Sequence, residues 1–266
     1  MELWLKSPFD RFQRSASKDS VFEWVKTLRG EVFRSVDQRF TARFEEDGRG
    51  YFVKYHRGLS LGEFFKNIIC LRWPVVGARD EWIAVEHLRK HGVGTMTPVA
   101  FGERGCLPFW QESFLITEEL AGCESLGPLT DPWAENPPEL ALKRHLIGLV
   151  ADSVSGMHRS GLNHRDCYLC HFLWNRETDT LHVIDLHRAQ IRDKVPTRWV
   201  DKDLGALYTS ASEIGLTRLD FFRFLRAYHG GRIDREEVKR LLPQIEKRAR
   251  KIRAHTESLK RRRGFT

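Results

Sequence analysis

The chain has 266 residues, of which 41% are apolar and 30% charged, with 17 Phe and 8 Trp. This length suits one two-lobed domain or two small ones, and the composition can bury a sizeable core, which excludes a disordered or collagen-like chain. The net charge of +8 gathers at one end, because Glu246 to Thr266 holds nine Lys/Arg against two Glu.

Thr27 to Phe33 and Phe40 to Glu45 mix β-branched and aromatic residues with charges and are expected to be strands. Asp47-Gly48-Arg49-Gly50 marks a hairpin turn, with Tyr51 to Tyr55 as the return strand. Ser60-Leu61-Gly62-Glu63 is a capping box, and Leu61, Phe64, Phe65, Ile68 and Ile69 then recur at helical spacing until Pro74. That helix either packs on the sheet or dips into a lipid headgroup layer. A second helix carries Glu81, Trp82, Val85 and Leu88 and stops near Gly92. Phe114 to Thr117 reads as a short buried strand, with Glu118 directly after it. Residues 121–138 hold four Pro and two Gly and read as a connector. A longer helix is expected from Glu139 to His158, with Gly161 at the position of a C-terminal cap. Val183-Ile184 reads as a short strand, and from Asp201 onward the chain is expected to be helical, including Arg218–His229 and Glu236–Thr256.

Strands first and helices later give an α+β fold with a β-rich N-lobe over residues 1–119 and an α-helical C-lobe over 120–266, with a ligand cleft expected between them. Met1 to Ser20 is charged throughout and shows no signal peptide. No run approaches the ~18 apolar residues of a membrane span. The five Cys, at 70, 106, 123, 167 and 170, are odd in number and scattered, as in a reducing compartment. A cytoplasmic protein is expected. The basic tail suits anionic lipid or an acidic protein, a solvated helix end being the plain alternative, and no nucleic acid is expected.

The chemistry concentrates around Gly161-Leu162-Asn163-His164-Arg165-Asp166, where a helix ends and a His-Arg-Asp loop follows. Nineteen residues on, a short strand delivers Asp185; upstream, a strand places Lys54, and a helix offers Glu81 27 residues later. This order resembles the protein-kinase fold. Phosphoryl transfer needs a Lys on the nucleotide phosphates, a Glu to pin it, an Asp to hold Mg²⁺ and an Asp to accept the hydroxyl proton. Lys54, Glu81, Asp185 and Asp166 take those roles in turn. Glu118 and Gly30 join Lys54 and Glu81 as expected ATP-binding residues, and His164 and Asp203 are expected to support the catalytic loop.

The strings Lys54 to Gly58, Asn163 to Phe172 and Ile184 to Gln190 resemble the lipopolysaccharide core heptose(I) kinases of Gram-negative bacteria, as do Asp201 to Leu204 and Ile214 to Thr217, over about Lys26 to Arg253. The resemblance implies ATP-dependent phosphorylation of the 4-position of the first heptose of the lipid A–core, at the cytoplasmic face of the inner membrane. ATP and Mg²⁺ or Mn²⁺ are the implied cofactors. A protein (including tyrosine) kinase, an antibiotic phosphotransferase and a nucleotide-binding pseudokinase scaffold are the alternatives. The last is disfavoured because all four charged residues are present.

Three departures from the general kinase pattern stand out. No G-x-G-x-x-G exists, and only Gly30 is available to approach the phosphates. Asp185-Leu186-His187 keeps the carboxylate of D-F-G and loses the Gly. The Asn expected five residues after Asp166 is His171, which either binds metal with Asp185 or bonds phosphate when protonated. Cys167-Tyr168-Leu169-Cys170-His171 has the spacing of c-type haem attachment, but it sits inside the catalytic loop of a chain with no export signal, so no haem is expected. Zinc lacks an evident fourth ligand, and the two thiols are expected to pack in the core.

Overall fold

Along Arg49–Arg57, buried Tyr51, Val53 and Tyr55 alternate with half-buried Phe52, Lys54 and His56. This two-residue period builds a strand with one face in the core and Lys54 on the other. The structure, a computed structural model, describes residues 1–14, 19–28, 31–36, 39–58, 77–105, 110–232 and 235–262. Gly30, the capping box at Ser60 and the helix from Leu61 with its Pro74 stop lie outside the described residues.

Two units form, the first from Met1–Glu86, Met96–Ala121 and Leu186–Arg188, the second from His87–Thr95, Gly122–Asp185 and Ala189–Thr266. The first contains one antiparallel sheet of β1 (Glu2–Leu5), β2 (Glu31–Val36), β3 (Arg39–Glu46), β4 (Arg49–Arg57), β5 (Pro98–Arg104) and β6 (Glu112–Glu118), in the order β1-β5-β6-β4-β3-β2. Asp47 and Gly48 close the β3–β4 hairpin at φ 51° and 72°, the left-handed pair of a two-residue type I′ loop.

Helix α1 (Asp19–Thr27) places Val21, Phe22 and Val25 on one sheet face, in a core with Tyr51, Val53, Tyr55, Phe114 and Ile116. On the opposite face Phe101 and Leu115 pack with Ala78 and with Trp82 of α2 (Arg79–Lys90), whose indole stacks on Phe101 at 4.4 Å. Thr27, expected to open a strand, instead ends α1, and β2 begins only at Glu31. The i, i+1, i+4 spacing of Val21, Phe22 and Val25 is helical, and their β-branched and aromatic character masks it.

The second unit is mainly helical, with α3 (Leu126–Thr130), α4 (Leu140–Arg159), α5 (Thr197–Glu213), α6 (Arg218–Tyr228) and α7 (Arg235–Arg262). Leu146, Ile147, Val150, Ala151, Val154 and Met157 bury one stripe of α4, which packs on α6, while α5 packs on α7. The expected connector at 121–138 holds β7 (Cys123–Ser125), α3 and a 3-10 turn, Asp131–Ala134. Its prolines fall inside or beside short elements, where composition hides them. Helix α5 starts at Thr197, before the expected Asp201, with Pro196 in extended backbone at the position preceding it.

Two short pairings frame the loop after α4. Strands β8 (Leu162–Asn163) and β11 (Gln190–Ile191) pair, and β9 (Phe172–Asn175) lies between β7 and β10 (Thr180–Val183). Gly161, at φ 87°, allows the first, since a Cβ there would lie 1.9 Å from the Arg192 carbonyl oxygen.

Candidate active site

In the first unit, β4 directs Lys54 to the face covered by α2, opposite Leu115 in register. Its Nζ donates to Glu81 Oε1 at 2.6 Å. The Glu81 side chain is fully buried and that of Lys54 is 24% exposed, so the ammonium is pinned at its inner end and retains an accessible side. The start of α2 is fixed by the Ala78 N–H, which donates to Ser113 Oγ at 2.9 Å. Burial, followed by the charges of Arg39, Lys54 and His187, drives the pKa of His56 down to about 3 and keeps it neutral. Glu118 ends β6 opposite Tyr51, and its N–H donates to the Thr97 carbonyl at 2.9 Å.

In the second unit, β8 leads directly into His164-Arg165-Asp166. Buried Asp203 on α5 accepts from the His164 and Arg165 N–H groups, both at 2.7 Å. These charge-assisted bonds hold Arg165 at φ 75°, a left-handed conformation unfavourable for a residue with a Cβ. Asp203 is itself held. His158 Nε2–H donates to its Oδ2 at 3.3 Å, and the Tyr228 hydroxyl reaches His158 Nδ1 at 2.8 Å. Sequence reasoning missed His158 and Tyr228, and the usable signal was a His on the apolar stripe of α4. It also missed Asn163, whose Oδ1 accepts from Arg192 Nη1 at 2.6 Å.

His164 is buried, its Nε2–H donates to the Ile184 carbonyl at 3.0 Å, and burial lowers its pKa. Its ring stacks on His171 at 5.3 Å and 5°. His171 Nδ1–H donates to the Asp166 carbonyl at 2.7 Å, and its Nε2 lies 3.5 Å from Asp185 Oδ2. Burial opposes its charge, but Cys170, the Asp166 carbonyl and the Asp185 carboxylate outweigh it and raise the pKa to about 9. The structure thus brings His171 to Asp185 and to the backbone of Asp166. Asp185 follows β10 at φ 60°, a second left-handed residue beside the site. Of the two neighbouring thiols, Cys167 is buried as expected and its pKa is pushed well up by desolvation, whereas Cys170 is exposed at the surface of the loop.

The donor set fits a hard divalent cation through Asp185, with water and phosphate oxygens completing the shell. His171 presents Nε2 at 3.5 Å from Asp185 Oδ2 with its Nδ1–H on a backbone carbonyl, an arrangement compatible with a ligand, although imidazole suits softer cations than Mg²⁺. Among the described residues, no group of three or more His, Cys, Asp or Glu is placed to hold a metal by itself, and no helix is long and apolar enough to cross a membrane.

Residues 23–228 match the model of the lipopolysaccharide kinase (Kdo/WaaP) family. The chain belongs to this family. It is a kinase, with the family's protein-kinase-like α+β fold and a place in lipopolysaccharide core phosphorylation. Among its relatives, the lipopolysaccharide core heptose(I) kinase WaaP of Pseudomonas aeruginosa is 49% identical over 262 residues, covering 95% of this chain and 96% of the relative. The protein of that name from Escherichia coli K12 is 50% identical over 232 residues, 85% and 86% of the two chains. A solved structure titled WaaP in complex with acyl carrier protein superposes with a TM-score of 0.78 at 46% identity, covering 94% of this chain and 99% of the other.

Proposed function

We propose that the chain transfers the γ-phosphate of ATP to the 4-hydroxyl of the first heptose of the lipopolysaccharide inner core, at the cytoplasmic face of the inner membrane. Identity near one half to relatives named heptose(I) kinases, over nearly the whole chain, is the observation that carries this reading. Residues 1–119 act as the nucleotide lobe and 120–266 as the acceptor lobe. Lys54 contacts the ATP phosphates, and its pairing with buried Glu81 supports that role by fixing the ammonium in one place. Gly30 and Glu118 complete the nucleotide contacts. Asp166 accepts the proton of the attacking hydroxyl, on a loop whose backbone Asp203 clamps. Asp185 holds the divalent cation, which when bound neutralises phosphate charge. His171, whose Nε2 lies 3.5 Å from Asp185, either joins Asp185 at the cation or, when protonated, bonds phosphate.

The test is phosphate transfer from labelled ATP to heptose-dephosphorylated core lipopolysaccharide, to a peptide and to an aminoglycoside in parallel, with the product position read by NMR. Transfer to the core acceptor alone, at the 4-position, is expected. Preferential transfer to peptide or aminoglycoside would overturn the assignment.

An acyl carrier protein is proposed as a partner of this chain as well. A cavity in the second unit favours it, lined by Leu146, Ile147, Val150, Leu207, Phe221 and Phe224, with the Lys143–Asp220 ion pair (3.2 Å) among its polar lining. An acyl chain suits such walls. Native mass spectrometry is expected to show an acyl-loaded carrier protein retained by the wild type and lost from Val150→Trp. Retention by both would count against the cavity. The exposed Lys247, Arg250, Lys251 and Arg253 of α7 supply charge for an acidic protein or an anionic inner membrane.

A further inference from the structure

Helix α6 ends on Tyr228, and the chain turns away directly after it. Gly230 and Gly231, at φ 73° and 87°, donate to the Ala227 and Arg226 carbonyls, each at 2.8 Å. The end of the helix is fastened to α4. Ser155 Oγ donates to the Tyr228 carbonyl at 2.6 Å. The Tyr228 ring stacks on Phe224 at 6.0 Å and 22°, and meets His229 edge-on at 4.9 Å and 86°. With backbone and ring so placed, the phenol oxygen lies 2.8 Å from His158 Nδ1, across an edge-to-face contact of the two rings at 5.7 Å and 78°.

The His158 side chain is only 4% exposed, so both ring nitrogens need partners inside the protein. A carboxylate only accepts, so Nε2 carries the proton of the 3.3 Å bond to Asp203 Oδ2. Nδ1 then accepts from the Tyr228 hydroxyl in the neutral ring and donates to it in the charged one, and the phenol serves either form. Asp203 has no oxygen to spare. Oδ1 takes the Arg165 N–H, and Oδ2 takes the His164 N–H together with the imidazole. Half a turn of the imidazole about Cβ–Cγ would replace both nitrogens by carbons and break both of its bonds. The Tyr228 hydroxyl opposes that turn from the side away from Asp203.

We propose that Tyr228 is a positioning residue for the transfer reaction: its hydroxyl locks the His158 imidazole, which acts through Asp203 on the loop that carries Asp166. The inference rests on the role proposed above for Asp166 and adds to it a side chain that touches no reacting group. It makes the seating of the end of α6 on α4 a determinant of turnover, separate from its contribution to stability.

Tyr228→Phe removes one oxygen and keeps the ring and its stacking. It should lower kcat on core acceptor about tenfold with the KM of ATP and of acceptor unchanged, because a misplaced loop acts on the chemical step. Tyr228→Phe/Asp203→Asn should be no slower than Asp203→Asn alone, since residues that act in series are not additive. Thr217→Ala removes the side-chain cap at the other end of α6; it should lower the melting temperature by about 2–4 °C and leave kcat at the wild-type value. Nitrogen-15 NMR reads the ring without an activity assay: the wild type and Thr217→Ala should show a slowly exchanging His158 Nε2 proton, and Tyr228→Phe should lose it. An unchanged kcat in Tyr228→Phe, a further tenfold loss in the double variant, an equal loss of kcat in Thr217→Ala, or an Nε2 proton retained in Tyr228→Phe would overturn the role. A wild type inactive on core acceptor would instead refute the acceptor reading, and the Nε2 proton would still decide whether Tyr228 locks the ring.

Discussion

Lys54→Met tests the nucleotide-site reading through stability and chemistry at once. The Lys54–Glu81 contact is 2.6 Å, with the carboxylate fully buried and the Lys side chain 24% exposed. Breaking a buried pair from one side leaves an uncompensated charge and costs about 3–5 kcal/mol; the partial exposure of Lys54 favours the lower end, about 3 kcal/mol. At about 2–4 °C per kcal/mol for a fold of this size, Lys54→Met should melt roughly 6–12 °C below the wild type. Turnover should fall by about 10²–10³-fold, as for the loss of one preorganised charge contact to a reacting group. The double variant Lys54→Met/Glu81→Met separates the two effects. Replacing both partners by apolar groups of similar length is often neutral or stabilising, so its melting temperature should return to near the wild-type value while activity stays lost. Differential scanning calorimetry and a coupled ADP assay read these quantities. An unchanged melting temperature in Lys54→Met would show that the carboxylate is not desolvated. Activity restored in the double variant would remove Lys54 from the phosphate site.

Asp166→Ala should lower kcat by about 10²–10⁴-fold while nucleotide affinity, followed by titration calorimetry, and melting temperature stay near wild type; full activity on purified core acceptor would refute the base assignment. Asp203→Asn replaces a carboxylate that accepts two N–H bonds at 2.7 Å and should reduce kcat by about 10²-fold through misplacement of the loop, with ATP KM unchanged, so parallel loss of ATP affinity would argue against a positioning role. His56, held neutral at a folded pKa of about 3 against 6.5 unfolded, binds its proton in the unfolded chain first, so its contribution is full above pH 6.5 and falls as pH drops toward 3. The melting temperature of the wild type should accordingly fall more steeply between pH 7 and pH 5 than that of His56→Gln, and parallel profiles would show that His56 is not desolvated.

The acids and the lysine were legible because phosphoryl transfer demands charged side chains in a fixed order, and Lys54, Glu81, Asp166 and Asp185 keep it. The kinase-like order of the charged residues paired Lys54 with Glu81, and the two side chains meet at 2.6 Å. The long apolar stripe of α4 and the Asp47-Gly48 turn were equally plain. What stayed hidden depends on tertiary contact. Strand β1 is four residues long and gains its identity only by pairing with β5. The Tyr228–His158–Asp203 chain joins residues 70 and 45 positions apart, which no local pattern can register. Trp199 reads as an ordinary aromatic until two strands and a helix start deliver Arg165, Arg192, Arg198 and Lys202 to it.

Strain explains why so much support surrounds so short a loop. Arg165 and Asp185 both adopt left-handed backbone although each carries a Cβ, a conformation that costs on the order of 1–2 kcal/mol per residue. A glycine at either position would relieve it, but would remove the guanidinium from Trp199 in one case and the carboxylate proposed to hold the cation in the other. The compensation comes from groups outside the reacting set: the Asp203 carboxylate on two consecutive N–H groups, the β8–β11 pair through Gly161, and the His171 bond to the Asp166 carbonyl. The sequence advertises the acids because the chemistry needs them by type. It conceals the compensation because a carboxylate on α5, a glycine after α4 and an imidazole on a 3-10 turn act by position, and position is settled only when the second unit has folded.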